Sequence, residues 1–266
     1  MDLSSLEKQS TDELFITLLK VMDELRGPRG CPWDKKQTPS SLIPCLLEET
    51  YEVIAAIDEQ DPNHLKEELG DLLLQVVFHS RIASEEKSFE IGDVLRHLIE
   101  KLVRRHPHVF AEGEVGEAED ALKQWEQIKA EEKAPNALLL EGVPVQLPAL
   151  ARAYRIGAKA ARVGFDWPDG QGARDKISEE LDELDQAVCA GDRAHAEREF
   201  GDLLFALVNY ARKLGFDPEA ALRKTLDRFA ARVAAVERAA SEAGRAIDAM
   251  STAELDALWE LVKARE

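Results

Sequence analysis

Apolar positions recur at three- and four-residue steps along most of this chain, and Gly, Pro and capping residues break the runs where hairpin dipeptides would break strands. Leu14, Leu18, Val21, Met22 and Leu25 share one face and predict a helix over 11–26. Ser10 or Thr11 can cap it, Asp12 and Glu13 suit its positive end, and Gly27-Pro28 stops it. A loop at 27–40, rich in Gly, Pro and Lys, carries Trp33. Two helices then flank Asp61-Pro62, a cap followed by a proline suited to a first helical turn. Ser88 opens another over 90–105, and one over 117–132 includes Trp125. The second half predicts helices over 150–163, 175–189 and 192–214, and a long one started by Asp217-Pro218. A last helix, opened by the capping box Ser251-x-x-Glu254, carries Trp259. No strand alternation interrupts this, so the expected fold class is all-α.

Within this pattern one stretch occurs twice. Glu48-Glu49-Thr-Tyr-Glu52, fifteen residues and Glu68-Leu-Gly-Asp71 return 131 positions later as Glu179-Glu180-Leu-Asp-Glu183, fifteen residues and Glu199-Phe-Gly-Asp202. The stretches 46–81 and 177–212 align without a gap, and a repeat of that period is a pair of whole domains, not a solenoid unit. The expected organisation is an N-terminal domain at 1–134, a proline-containing linker at 135–147 and a C-terminal domain at 148–266.

The repeated acids sit oddly. Leu69, Leu72, Leu73, Val76 and Val77 fill one face of their helix, and Leu74 and Phe78 much of the opposite one, so the helix reads as buried on most sides, Asp71 included. Glu68 lies one turn from Asp71, and Glu49 and Glu52 have the same spacing on the preceding helix. Buried carboxylates are rare unless paired or bound to metal. If the two helices pack antiparallel the carboxylates converge, and a pair about 4 Å apart repels by roughly 4 kcal/mol at an effective dielectric of about 20. The set therefore needs cations, protons or basic partners. The candidate ligands are all oxygen, with no His or Cys at helical ligand spacing, which selects Mg²⁺, with Mn²⁺ as a substitute, over zinc. The expected metal ligands are Glu49, Glu52, Glu68 and Asp71 in the first copy, and Glu180, Glu183, Glu199 and Asp202 in the second.

Glu-Glu-x-x-Glu, a spacer and Glu-x-x-Asp resemble the signature of the MazG family of nucleoside triphosphate pyrophosphohydrolases. Gly30-Cys-Pro-Trp33-Asp-Lys-Lys-Gln37-Thr, the block from Arg104 to Phe110, Lys123-Gln-Trp125-Glu and Arg162-Val-Gly-Phe-Asp-Trp167 look like further family blocks in family order. The resemblance implies tandem helical bundles, completed by association of two chains into a homodimer. It also implies Mg²⁺-dependent hydrolysis of ribo- and deoxyribonucleoside triphosphates to monophosphate and pyrophosphate, for nucleotide-pool control or house-cleaning.

No Gly-rich phosphate loop is present, so metal and basic side chains must hold the triphosphate. The candidates are Lys159, Lys176, Arg228 and Arg232 in the second copy and Lys101 and Arg105 in the first, with Trp259, Trp125 and Trp33 to wall or stack on the base. Glu179, or one of the ligands, is the candidate to orient or deprotonate the attacking water. The second copy is expected to be the main catalyst. His106 and His108 form an HxH pair broken by a proline and read as structural.

A net charge of −18 argues against a general nucleic-acid or membrane surface. Three cysteines without a CxxC, and an N-terminus without an apolar signal core, fit a cytoplasmic protein. Protein partners cannot be named from these features. An isoprenoid-type diphosphate enzyme would call for Asp-Asp-x-x-Asp, and a di-iron bundle for Glu-x-x-His, and both are absent. The remaining rival is a non-catalytic nucleotide-sensing or protein-binding regulatory dimer.

Overall fold

The computed structural model describes residues 3–111, 116–132 and 138–264, and no strand occurs among them. Contacts divide the chain into two compact units, 1–133 and 134–266. Residues 133–137, which span the start of the expected linker, lie outside the described residues. The first unit contains α1 (Thr11–Arg26), α2 (Pro32–Lys36), α3 (Ile43–Glu59), α4 (Pro62–Glu85), α5 (Ile91–Arg105), α6 (Pro107–Phe110) and α7 (Ala118–Glu131). The second contains α8 (Ala149–Arg162), α9 (Gly170–Cys189), α10 (Arg193–Lys213), α11 (Pro218–Glu242) and α12 (Thr252–Lys263).

Aspartates set the starts of the long helices. Asp61 accepts from the Asn63 amide at 2.8 Å, Asp192 from that of His195 at 3.0 Å, and Asp217 from that of Glu219 at 2.8 Å. At α5 the cap is Glu90, not Ser88, because the Glu90 amide donates to Asp93 at 3.0 Å. Helix α9 begins five residues earlier than its apolar pattern suggests. Asp169 accepts from the Gln171 and Gly172 amides at 2.9 and 3.3 Å, so two glycines that discourage a helix interior fall in a capped first turn. Gly172 is there for space: a Cβ at that position would lie 2.5 Å from Cδ1 of Trp167.

In each unit the two acid-bearing helices fold back on each other as a hairpin. Gln60 at φ 57° turns α3 into α4, and Gly191 at φ 70° turns α9 into α10. The first unit's core is Met22, Leu42, Val77, Phe78 and Ile82, with Leu18, Leu19 and Leu74 packed around it. Each such side chain, fully buried, contributes on the order of 1.5–3 kcal/mol. On the second unit's hairpin the buried positions include the small side chains Ala173 and Ala187 of α9 and Ala206 and Ala211 of α10.

The expectation that α4 is buried on most sides fails. Leu69, Leu73 and Val76 are 50%, 40% and 42% exposed, and their repeat equivalents Phe200, Leu204 and Leu207 on α10 are 53%, 39% and 44% exposed. Asp71, on the same helix, is also exposed. The helices are apolar nearly all round, but one chain covers only part of that surface.

Candidate metal and active site

The hairpins bring the repeated acids together. Carboxylate oxygens of Glu49, Glu68 and Asp71 lie within 4.8 Å of one another, and so do those of Glu180, Glu199 and Asp202. In each trio one glutamate is buried, Glu68 at 8% and Glu180 at 5% exposure, while Asp71 and Asp202 face solvent. Glu52 and Glu183 stand beside the trios, not inside them. Burial first, then the charges of Asp71 and Glu52, raise the pKa of Glu49. Glu68 is raised by burial and then by Glu52, and Glu183 by burial and then by Glu180 and Glu199. Acids pushed toward protonation by burial, and then by one another's charge, are what a divalent cation relieves. The donor set of oxygens, half sunk into the hairpin, fits Mg²⁺ or Mn²⁺.

Histidine is part of the arrangement, contrary to the sequence reading. His64 Nε2 lies 3.2 Å from Glu68 and its Nδ1 2.8 Å from Glu59, and the bond to Glu59 raises the pKa of His64. His195, 131 positions on, places Nε2 2.9 Å from Glu199. The signal was present in the repeat itself, as a histidine four residues ahead of a site glutamate in both copies. These imidazoles orient carboxylates, as groups behind metal ligands commonly do.

The two sites differ at one cation. Lys176 donates to Glu179 at 2.9 Å and reaches Glu180 at 2.5 Å, bonds that push its pKa up. The residue four before Glu49, equivalent to Lys176, is Cys45.

Of the basic and aromatic candidates, Lys101, Arg105 and Trp125 lie on α5 and α7, Arg228, Arg232 and Trp259 on α11 and α12, and Trp33, Lys159 and Lys176 on α2, α8 and α9. Trp125 has the Arg105 guanidinium 5.4 Å and the Lys129 ammonium 4.8 Å from its ring centre. Arg104 and Arg105 both grip Glu132, at 2.7 and 2.5 Å, and hold its carboxyl at about 2. Trp259 packs tilted against Phe229 at 5.2 Å, with the Arg232 guanidinium 5.6 Å from its ring. Arg228 donates to Thr225 Oγ1 at 3.2 Å. Lys159 donates to the Glu141 carbonyl at 2.6 Å, which ties it to the segment before α8. Lys101 is half-buried one turn before Arg105. Trp33 is 57% exposed on α2. His106 is bonded to the Leu102 carbonyl at 2.7 Å and His108 to Gln124 at 2.9 Å.

The model of the MazG nucleotide pyrophosphohydrolase domain matches the chain twice, at 37–110 and 171–237, over both acid hairpins. The chain belongs to the MazG family. It is therefore a pyrophosphohydrolase by class, and the family's domain is present in tandem. It is 48% identical over 251 residues to the nucleoside triphosphate pyrophosphohydrolase/pyrophosphatase MazG of Thermotoga maritima, covering 94% of this chain and 96% of that one. It is 45% identical over 256 residues to the nucleoside triphosphate pyrophosphohydrolase of Escherichia coli K12, covering 94% and 97%. A Bacillus subtilis protein, YabN, is 47% identical over 254 residues but is only 52% covered, so in that relative the tandem unit is part of a longer chain. No described helix is long and apolar enough to cross a membrane.

Proposed function

We propose that this chain hydrolyses ribo- and deoxyribonucleoside triphosphates to monophosphate and pyrophosphate with Mg²⁺, serving nucleotide-pool control or house-cleaning. The observation that carries the reading is the convergence of three carboxylates in each of two hairpins at equivalent positions. Glu180, Glu199 and Asp202, with Glu183 beside them, would hold the cation in the C-terminal unit, and Glu49, Glu52, Glu68 and Asp71 in the N-terminal one. A bound Mg²⁺ supplies charge neutralisation for the leaving pyrophosphate and acidifies a water. Glu179, an exposed carboxylate steadied by Lys176, would accept a proton from the attacking water. Lys176, Arg228, Arg232 and Lys159 meet the phosphates, and Trp259 with Phe229 forms an apolar wall for the base. In the N-terminal unit Lys101, Arg105, Trp125 and Trp33 take the corresponding parts.

The C-terminal unit is the main catalyst in this reading. In the N-terminal unit the Glu132 carboxylate already occupies Arg104 and Arg105, so an incoming phosphate has to displace it. The bare apolar stripes on α4 and α10, at equivalent positions of the two units, support pairing of two chains into a homodimer. Free thiols at Cys31, Cys45 and Cys189 support a reducing, cytoplasmic setting.

The test is pyrophosphate and monophosphate release from a panel of ribo- and deoxyribonucleoside triphosphates, with Mg²⁺ and with EDTA. Release that EDTA abolishes is the expected result. Absence of release from every triphosphate, or release indifferent to EDTA, would overturn the reading. Sedimentation velocity on the same preparation checks the dimer.

A further inference from the structure

We propose that Lys176 is a resident cation of the C-terminal acid site which a divalent metal must displace, so that this site loads metal together with triphosphate. The N-terminal site, with Cys45 in the equivalent place, loads metal alone. This rests on the metal-binding reading above and concerns the order in which the two sites fill.

The argument starts from helical spacing. Lys176 and Glu180 are four residues apart on α9, and Cys45 and Glu49 are four apart on α3. Side chains at that spacing share a face, so residue 45 and residue 176 approach their acid trios from the same side. At 176 the ammonium lies 2.5 Å from Glu180, which is buried and is one of the three carboxylates that converge within 4.8 Å. A charge in that position neutralises part of the trio before any metal arrives. A unit charge about 4 Å from a divalent ion also repels it by several kcal/mol at an effective dielectric of about 20. At 45 the thiol is a small, uncharged neighbour, while the imidazole beside the trio, His64 at 3.2 Å from Glu68, has its match in the other site in His195 at 2.9 Å from Glu199. The empty cation balance is therefore deeper in the N-terminal site.

A triphosphate changes the C-terminal balance without removing the lysine. Lys176 also bonds the exposed Glu179 at 2.9 Å, so its flexible stem already spans from the buried acid toward solvent. When a metal–triphosphate arrives, the ammonium exchanges its carboxylate partners for phosphate oxygens, and the acids are released to the metal in the same event. A lysine does this more readily than an arginine, being a compact point charge on a rotatable stem. The consequence is a C-terminal site that does not sequester free metal and engages it only with substrate.

Mn²⁺ binding without nucleotide, followed by electron paramagnetic resonance or calorimetry, tests this. The C-terminal site is isolated in Glu68→Gln/Asp71→Asn, and the N-terminal site in Glu199→Gln/Asp202→Asn. Adding Lys176→Met to the first background is expected to tighten Mn²⁺ binding at least about tenfold. Adding Cys45→Lys to the second is expected to weaken it by a similar factor. A non-hydrolysable nucleoside triphosphate analogue should then bring the Lys176→Met and parent Mn²⁺ affinities together or reverse their order. Unchanged or weaker Mn²⁺ binding in Lys176→Met overturns the inference and leaves the metal site standing. Absence of Mn²⁺ binding at both sites, in parent and variants alike, overturns the metal reading itself.

Discussion

The two units hold the same acids with different scaffolds. In the first, Arg26 of α1 is 5% exposed and fastens three elements: it pairs with Glu85 of α4 at 2.7 Å, donates to the Asp34 and Gln37 carbonyls, and lies 5.3 Å from the Phe78 ring centre. In the second, the fastening arginine comes from α10. Arg212 grips Asp166 at 2.6 and 3.0 Å, Lys213 joins at 2.7 Å and also donates to the Trp167 carbonyl, so the loop before α9 is tied to the end of the hairpin. The repeat equivalent of Arg212 is Arg81, which pairs at 3.0 Å with Asp23, an acid 60% exposed. Acids, histidine and capping aspartate recur at fixed offset, while the residues that clamp the preceding loop do not. Positions that must meet a ligand are constrained by one geometry, whereas a loop can be clamped from any side that offers a charge.

The comparison is sharpest in catalysis. Glu183→Gln/Asp202→Asn is expected to lower monophosphate formation by about 10³-fold or more, on the scale of losing metal and acid–base function together. Glu52→Gln/Asp71→Asn should leave most turnover in place. Steady-state rates on one triphosphate decide it: loss confined to the second pair would move the main site to the N-terminal unit, and partial loss in each would mean two working sites.

Next come the loop clamps. Asp166 is 16% exposed and Arg212 11%, so Asp166→Asn leaves a mostly buried guanidinium without its charge partner. A loss of about 3 kcal/mol in the second unit is expected, at the lower end for a broken buried pair. Gly157→Ala should destabilise the same place, because its Cβ would lie 2.4 Å from Asn209 Oδ1. Arg81→Met, at the equivalent helix end in the first unit, should cost under about 1 kcal/mol because Asp23 is exposed. Urea unfolding, read by Trp167 in a protein carrying Trp33→Phe, Trp125→Phe and Trp259→Phe, reports on the second unit. The same probe gives a pH test. Arg212 and Lys213 hold Asp166 at about 2, against 3.8 normally. A depressed acid contributes stability that is complete above the unfolded value and lost as pH falls through the folded one. The second unit should therefore weaken by about 2 kcal/mol between pH 4 and pH 2, and Asp166→Asn should remove that slope.

Helix identity and the acid hairpins were legible in the sequence because both depend on local spacing: apolar steps of three and four, Asp-Pro starts, and glutamates one turn apart. What was illegible depended on neighbours. An all-apolar α4 announces burial, but no periodicity says that this chain leaves Leu69, Leu73 and Val76 uncovered, with Asp71 in solvent. Trp33 and Trp259 look alike as letters, yet one is exposed on a short helix and the other packs on Phe229. The start of α9 depends on the Asp169 cap and on the Trp167 ring that requires Gly172, neither of which an apolar pattern shows. His64 and His195 are not legible from metal-ligand spacing, because they aim a carboxylate instead of standing among the convergent acids.

That last omission carries the smallest and most diagnostic expectation. His195 is bonded to Glu199 through Nε2 at 2.9 Å, and the position equivalent to its sister's anchor Glu59 is Ala190. With one carboxylate partner, His195 serves to orient Glu199. His195→Ala should weaken Mn²⁺ binding at the C-terminal site roughly tenfold, the low end for a group behind a ligand, because His195 is itself 45% exposed. His195→Gln can still present an N–H to Glu199 and should recover much of the loss. If alanine and glutamine behave alike, the histidine is packing material and the carboxylate needs no aim. A graded series at constant folding stability would instead mean that His195 belongs to the C-terminal site together with its acids.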